Sequence, residues 1–181
     1  MRRYAKLQMT IWADEDWRNV SHTAQWLYTA LISQQGLSAC GVRDWKPKLF
    51  AALSPTMNRD GVESALEELI AKKYVVLDDE TDELLIRSFV RNDEVHTNRN
   101  MMISAVKAQR CIVSLRLAAI VVHEMKRLRD EHPDFNCWEH PEIMKTLASK
   151  AINVFDEDVP EDADDRFPVA AGGWGNTENP Y

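Results

Sequence analysis

A mainly helical fold with a small β wing is what the sequence predicts, and three observations within residues 45–89 predict it. The run WKPKLFAAL places Trp45, Leu49, Phe50 and Leu53 on one helical face. The cluster SPTMNRDG then forbids a continuous helix, because Pro55 has no amide to donate and Gly61 weakens the helical backbone. A second helix follows, with Val62, Ala65, Leu66, Leu69 and Ile70 at helical spacing and Glu63, Glu67, Glu68 and Lys72 outside; the period then changes to strand in YVVLD, the turn DETD and ELLIRSFV. Two helices followed by a hairpin predict a helix-turn-helix with a wing. Such an arrangement offers one helix to the DNA major groove and a hairpin to the flanking backbone.

Upstream, Arg2, Arg3 and Lys6 precede the apolar segment LQMTIW, so residues 1–12 form either a strand or an extended arm, lying against phosphate or left in solvent. ADEDWRNVS is a polar connector whose Ser21 is placed to cap the next helix. Residues 21–34 form that helix on a stripe of Ala24, Leu27, Tyr28, Leu31 and Ile32, and Gly36 ends it. LSACGV reads as a short strand that pairs with the wing. Trp12, Trp17, Trp26 and Trp45 are assigned to the core rather than to base stacking, because large aromatics dominate small cores.

Downstream of the wing, residues 98–130 read as one long helix ending before Pro133. Its CIVSLRLAAIVV stretch is apolar almost all round, and a helix apolar on every face must be covered on every face. A second chain is the expected cover, through Val113, Leu117, Ile120 and Val121, which makes a homodimer suited to two half-sites. The alternative is packing between the 21–34 helix and a short helix at 141–151. Lys126, Arg127 and Arg129 complement the dipole at the long helix's end.

A chain of 181 residues accommodates one ordinary domain and an appendage. The expected division is a winged helix-turn-helix at 1–95, a long helix plus short helix at 96–153, and a disordered acidic tail at 154–181. The net charge of −7 argues against nucleic acid only if it is evenly spread. Residues 151–181 carry eight carboxylates against Arg166 alone, so the remaining 150 residues are neutral and that objection falls. The tail lacks apolar periodicity and contains Pro160, Pro168 and Pro180. Its Phe167, Trp174 and Tyr181 suit a docking peptide for a replication or host protein, or a strip competing with DNA, or a plain solubilising tail. No apolar run spans a bilayer and no signal-peptide pattern follows Met1, so a cytoplasmic protein without membrane partners is expected. Cys40, Cys111 and Cys137 are too few and too scattered for a disulfide framework.

The order of elements resembles a known group. Its carriers are the I-W-x-D-x-x-W segment from Ile11 to Trp17, Ser21-x-x-Ala24-x-x-Leu27-Tyr28, and Gly41-Val42 leading into the helix-turn-helix. Ala65-Leu66-x-x-Leu69, the Tyr74-Val75-Val76-x-Asp78 wing and ELLIRSFVRND continue it. Together, over roughly residues 7–130, they resemble the N-terminal winged-helix domain of phage replisome-organiser and DnaD-like replication initiation proteins, and helix-turn-helix proteins of actinobacterial phages and prophages. The resemblance implies DNA binding in replication initiation or transcriptional control. Asp60, Glu63, Glu67 and Glu68 on the second helix depart from that expectation, since carboxylates oppose close approach to phosphate.

Candidate DNA contacts are therefore placed around that helix. Asn58 and Arg59 stand at its N-terminal end, where base contacts start and backbone amides favour anions. Arg43, Lys46 and Lys48 flank the first helix of the motif; Arg87 lies on the return strand, with Arg91, Asn98 and Arg99 beyond it. His132, Cys137 and His140, beside Glu131 and Glu139, have the spacing H-x4-C-x2-H, which fits no zinc signature. No phosphate loop, nucleophile elbow or cofactor motif is present, so no metal, cofactor or catalysis is expected. The expected function is non-enzymatic binding of double-stranded DNA; the alternative is a protein–protein interaction module that never touches DNA.

Overall fold

The computed structural model describes residues 4–157. A 3₁₀ turn (Met9–Ala13) and α1 (Glu15–Arg18) lead into α2 (His22–Ser33). Then come β1 (Val42–Asp44), α3 (Pro47–Ala51), α4 (Arg59–Ala71), β2 (Val75–Asp78) and β3 (Glu83–Ile86). The second half is helical: α5 (Phe89–Asn92), α6 (Arg99–Gln109), α7 (Leu115–Glu131) and α8 (Pro141–Leu147), with 3₁₀ turns at Val95–Thr97 and Asn136–Glu139. The fold is thus mainly helical with one small antiparallel sheet.

Capping chemistry sets the helix starts. Ser21 Oγ accepts from the Ala24 amide at the head of α2, and Asn58 Oδ1 accepts from the Gly61 amide at the head of α4. Pro47 and Pro141 stand in first turns, where a missing amide costs nothing. Glu68 is half-exposed and is not the free outward carboxylate that the helical pattern predicts. Its carboxylate accepts from the Ser21 backbone amide at 2.6 Å and from Ser21 Oγ at 2.5 Å, which ties α4 to the start of α2.

The strand order is β1-β3-β2, with Leu85 opposite Val42 on one side and Val76 on the other. Side-chain alternation along each strand divides the core in two. Val75, Leu84 and Ile86 join Leu27, Leu31, Phe50, Leu66 and Leu69 of α2–α4. Val42, Val76 and Leu85 join Met102, Leu117, Ile120, Met125 and Ile143 of α6–α8. The sheet is therefore sandwiched between two helical layers, and residues on both sides of position 95 share one of its faces. Gly41 leads into β1 with φ 88°, and a Cβ there would stand 2.5 Å from Phe89 Cβ, so only glycine lets the α5 aromatic seat against the strand.

Several expected elements are shorter than their patterns. The strand predicted from LSACGV starts only at Val42, and the return strand stops at Ile86 before turning into α5. The expected 98–130 helix is two helices, broken at residues 110–114 without proline or glycine. The cause is tertiary. Glu83 on β3 accepts from the Val113 and Ser114 amides at 3.1 and 2.7 Å, and Ser114 Oγ donates to Asp78 of β2 at 2.5 Å while accepting from Leu117 N. Ser114 caps the new helix, and the wing fixes that cap in place through Glu83 and Asp78.

The cover expected from a second chain is supplied by this one. Leu117, Ile120 and Val121 are fully buried among α6, α8 and the sheet, while Val113 is 71% exposed at the α6–α7 tip. The fold also runs past the expected boundary at 153. Ile152 donates its amide to Ala119 O, Val154 is buried, and both oxygens of Glu157 accept from Arg116. The rest of the acidic tail, and its expected disorder, lie outside the described residues.

Candidate nucleic-acid interface

A groove of about 1000 Å³ lies between α3, α4 and the β2–β3 turn. Leu49, Leu66, Ile70 and Leu77 give it apolar walls. Its charges are mixed: Lys46, Lys48 and Arg59 face Glu63, Glu67, Asp79 and Asp82. Most of those cations are already engaged. Lys46 Nζ sits 2.7 Å from Asp44 Oδ2, and that hydrogen bond holds the Asp44 carboxyl below the usual range. Arg59 Nε donates to Glu63 Oε1 at 2.7 Å, one helical turn along α4. Lys48 is exposed and has no ion pair among the described residues. Asn58 spends its side-chain oxygen on the α4 cap.

The remaining expected contacts fall elsewhere. Arg43 is buried, its guanidinium 4.8 Å above the Phe50 ring, which itself stacks on Trp45 at 5.4 Å. Burial pulls its pKa down, and Nη1 has no hydrogen-bond partner, so Arg43 is a packing cation in this fold. Arg87 is also internal: Nε donates to Lys73 O at 2.7 Å, and Nη1 donates to Glu124 Oε1 at 3.1 Å. Arg91 pairs with Glu131 at 3.0 Å. Neither is presented to a phosphate backbone. Asn98 caps α6 by accepting from the Asn100 and Met101 amides, and Arg99 next to it is exposed without an ion pair among the described residues. The nine expected residues thus form two surface groups and a set engaged in packing or ion pairs, not one face.

The hairpin turn is acidic, with Asp78 Oδ1 accepting from the Glu80 and Thr81 amides and Asp82 in the left-handed region at φ 54°. Sequence spacing gave no sign of the carboxylate it most needed to find: Glu124, enclosed in the helix with Arg87, Arg91 and Arg127 around it. It also missed that His96 and His132, 36 positions apart in number, stack at 4.5 Å beside Phe135. Cys137 Sγ donates to His96 O, and His140 Nδ1 accepts from the Glu142 amide as the α8 cap, so His132, Cys137 and His140 do not converge. Among the described residues no group of three His, Cys, Asp or Glu is arranged to hold a metal, and no helix is long and apolar enough to cross a membrane. Compared with protein-family models, curated proteins and solved structures, the chain matches none.

Proposed function

We propose that this is a non-enzymatic protein of winged-helix type that binds double-stranded DNA. The observation carrying the reading is the element order: helix α2, strand β1, helices α3 and α4, then the β2–β3 hairpin, with β3 central in the sheet. That order is the one in which a helix-turn-helix carries a wing. A role in replication initiation or transcriptional control of phage or prophage type rests on the sequence resemblance. The test is fluorescence anisotropy of duplex DNA fragments with the full chain across a salt series. Affinity falling linearly in log–log form with salt is the expected result. A chain that leaves the duplex unbound at about 50 mM salt and tens of micromolar protein defeats the reading.

One observation favours a second reading, a protein-interaction module. The α3–α4 groove has apolar walls, and α4 carries one cation, Arg59, against four carboxylates. A peptide partner suits such a mixed groove better than a polyanion does. In that case Glu67→Lys abolishes partner capture and leaves any DNA affinity unchanged.

A further inference from the structure

In a helix-turn-helix the second helix of the motif enters the groove, yet here that helix, α4, has a net charge of −3. A face of the opposite character lies across the sheet from α4. From Val95 to His123 the chain contains no Asp or Glu, and it carries Arg99, Lys107, Arg110 and Arg116. Helix α6 lies within that stretch. Its back, Met102, Ala105 and Val106, is fully buried in the core, which fixes the helix rigidly. Its front is exposed: Asn100, Ser104 and Lys107 follow one another at four- and three-residue spacing, with Arg99 and Arg110 on the flank. Arg99 and Lys107 have no ion pair among the described residues, and Arg110 pairs with Glu142 of α8.

We infer that α6, not α4, is the helix this protein lays against duplex DNA, an assignment that rests on the DNA-binding reading above. The dimensions agree. Eleven residues make a helix about 16 Å long, and Arg99 and Lys107 stand about 12 Å apart along it, the width of the major groove between its phosphate rails. The polar side chains between them are short enough for base edges, and Asn100 has the donor–acceptor pair that reads adenine. The N-terminal segment reaches the same side, where Tyr4 and Lys6 share with Asn100, Met101 and Ser104 a hollow of about 740 Å³. Lys6 is itself held by Glu94 at 2.7 Å, so the unspent cations are those of α6. RNA duplex is the poorer fit, because its deep, narrow major groove does not admit a helix.

The experiment compares R99A/K107A, K46A/K48A and N100A with the wild-type chain, by anisotropy of a fluorescein-labelled mixed-sequence 30-bp DNA duplex from about 50 mM to 1 M salt. All the side chains replaced are exposed, so thermal melting serves as the folding control and is expected to be unchanged. R99A/K107A is expected to bind roughly a hundredfold more weakly at about 50 mM salt, with a log–log slope shallower by about 1.8. K46A/K48A is expected to bind within about threefold of wild type, because Lys46 is already paired with Asp44. N100A is expected to keep the salt slope and lose preference among sequences. Wild-type binding with R99A/K107A unaffected overturns the α6 assignment alone, as does loss confined to K46A/K48A. Equal competition by an RNA duplex of the same length overturns the groove geometry. Absence of wild-type binding overturns the DNA reading and this assignment with it.

Discussion

Arg87, one residue beyond β3, donates Nη1 to Oε1 of Glu124 on α7 at 3.1 Å, and Glu124 is only 3% exposed. The same guanidinium donates Nε to Lys73 O and lies 4.9 Å from the Phe155 ring, so one side chain joins the end of α4, the sheet and α7. Breaking a buried pair leaves a charge without its partner, which costs more than the pair contributes. Glu124→Ala is expected to lower stability by about 3–5 kcal/mol, read from the urea midpoint. Arg87→Met combined with Glu124→Leu is expected to recover part of that loss, because the most enclosed cation goes with its partner while Arg91 and Arg127 keep Glu131. A cost below about 1 kcal/mol for Glu124→Ala would show that water hydrates the Arg87 guanidinium left behind, so that the pair is not sealed from solvent.

The junction of wing and α7 gives a second test, with a pH sign. Ser114 Oγ donates to Asp78, and this hydrogen bond holds the Asp78 carboxyl below its ordinary value. A carboxyl depressed in the folded state adds stability that is present above its unfolded pKa of about 3.9 and is lost as pH falls through the folded value. Ser114→Ala is expected to cost about 1 kcal/mol near neutral pH, since it also removes the cap on Leu117 N. Its deficit against wild type should narrow below about pH 4. A deficit that stays constant into acid would mean that the serine acts through the helix cap alone.

His96 supplies a pH response of its own. Burial pushes its pKa down, the neighbouring His132 adds to the shift, Glu94 and Glu131 oppose it, and Lys6 contributes weakly in the same direction as burial. Its Nδ1 has no hydrogen-bond partner. A histidine depressed in the folded state adds stability that is fully present above its unfolded pKa of about 6.5, and that stability is lost as pH falls below it. The urea midpoint is therefore expected to drop between about pH 7.5 and 5.5, and His96→Phe should flatten that drop. Identical pH profiles for the two proteins would assign the response to other groups.

Much of this architecture is legible in the sequence because it rests on local rules. Ser21 and Asn58 are caps at predictable places, and the Val75–Asp78 and Glu83–Ile86 strands follow from β-branched and aliphatic runs around an acidic turn. What escaped depends on contacts far apart in sequence. No proline or glycine marks the break at residues 110–114; Ser114 is a local cap signal, but Glu83 and Asp78 fix it from 31 and 36 positions away. The same holds for charges: Glu68 fits an outward helical position, but Ser21 captures it. Arg43, Arg87 and Arg91 look like free surface cations from spacing alone, whereas Phe50 and Glu124 draw the first two inward and Glu131 pairs with the third at the surface. The acid-free stretch containing α6 was visible from the start, but its meaning depended on which face of that helix the core leaves open.

The apolar run of α7 gives the last test, because it separates a helix covered by its own chain from one covered by a copy. Ile120 is fully buried between the sheet and α6–α8, while Val113 stands at the exposed tip beside Leu115, itself 85% exposed. If the chain covers its own helix, Ile120→Ala costs about 2–5 kcal/mol through the cavity it opens, at any protein concentration. Val113→Ala should then change stability by less than about 0.5 kcal/mol. If instead α7 were covered by a partner, the Ile120→Ala loss would grow on dilution, since association stabilises by mass action. Urea midpoints at about 1 and 50 µM protein distinguish the two cases. Concentration-independent midpoints are the expected result for both variants. A midpoint for Ile120→Ala that rises with concentration, together with sedimentation of the wild-type chain as a dimer, would return α7 to an interface.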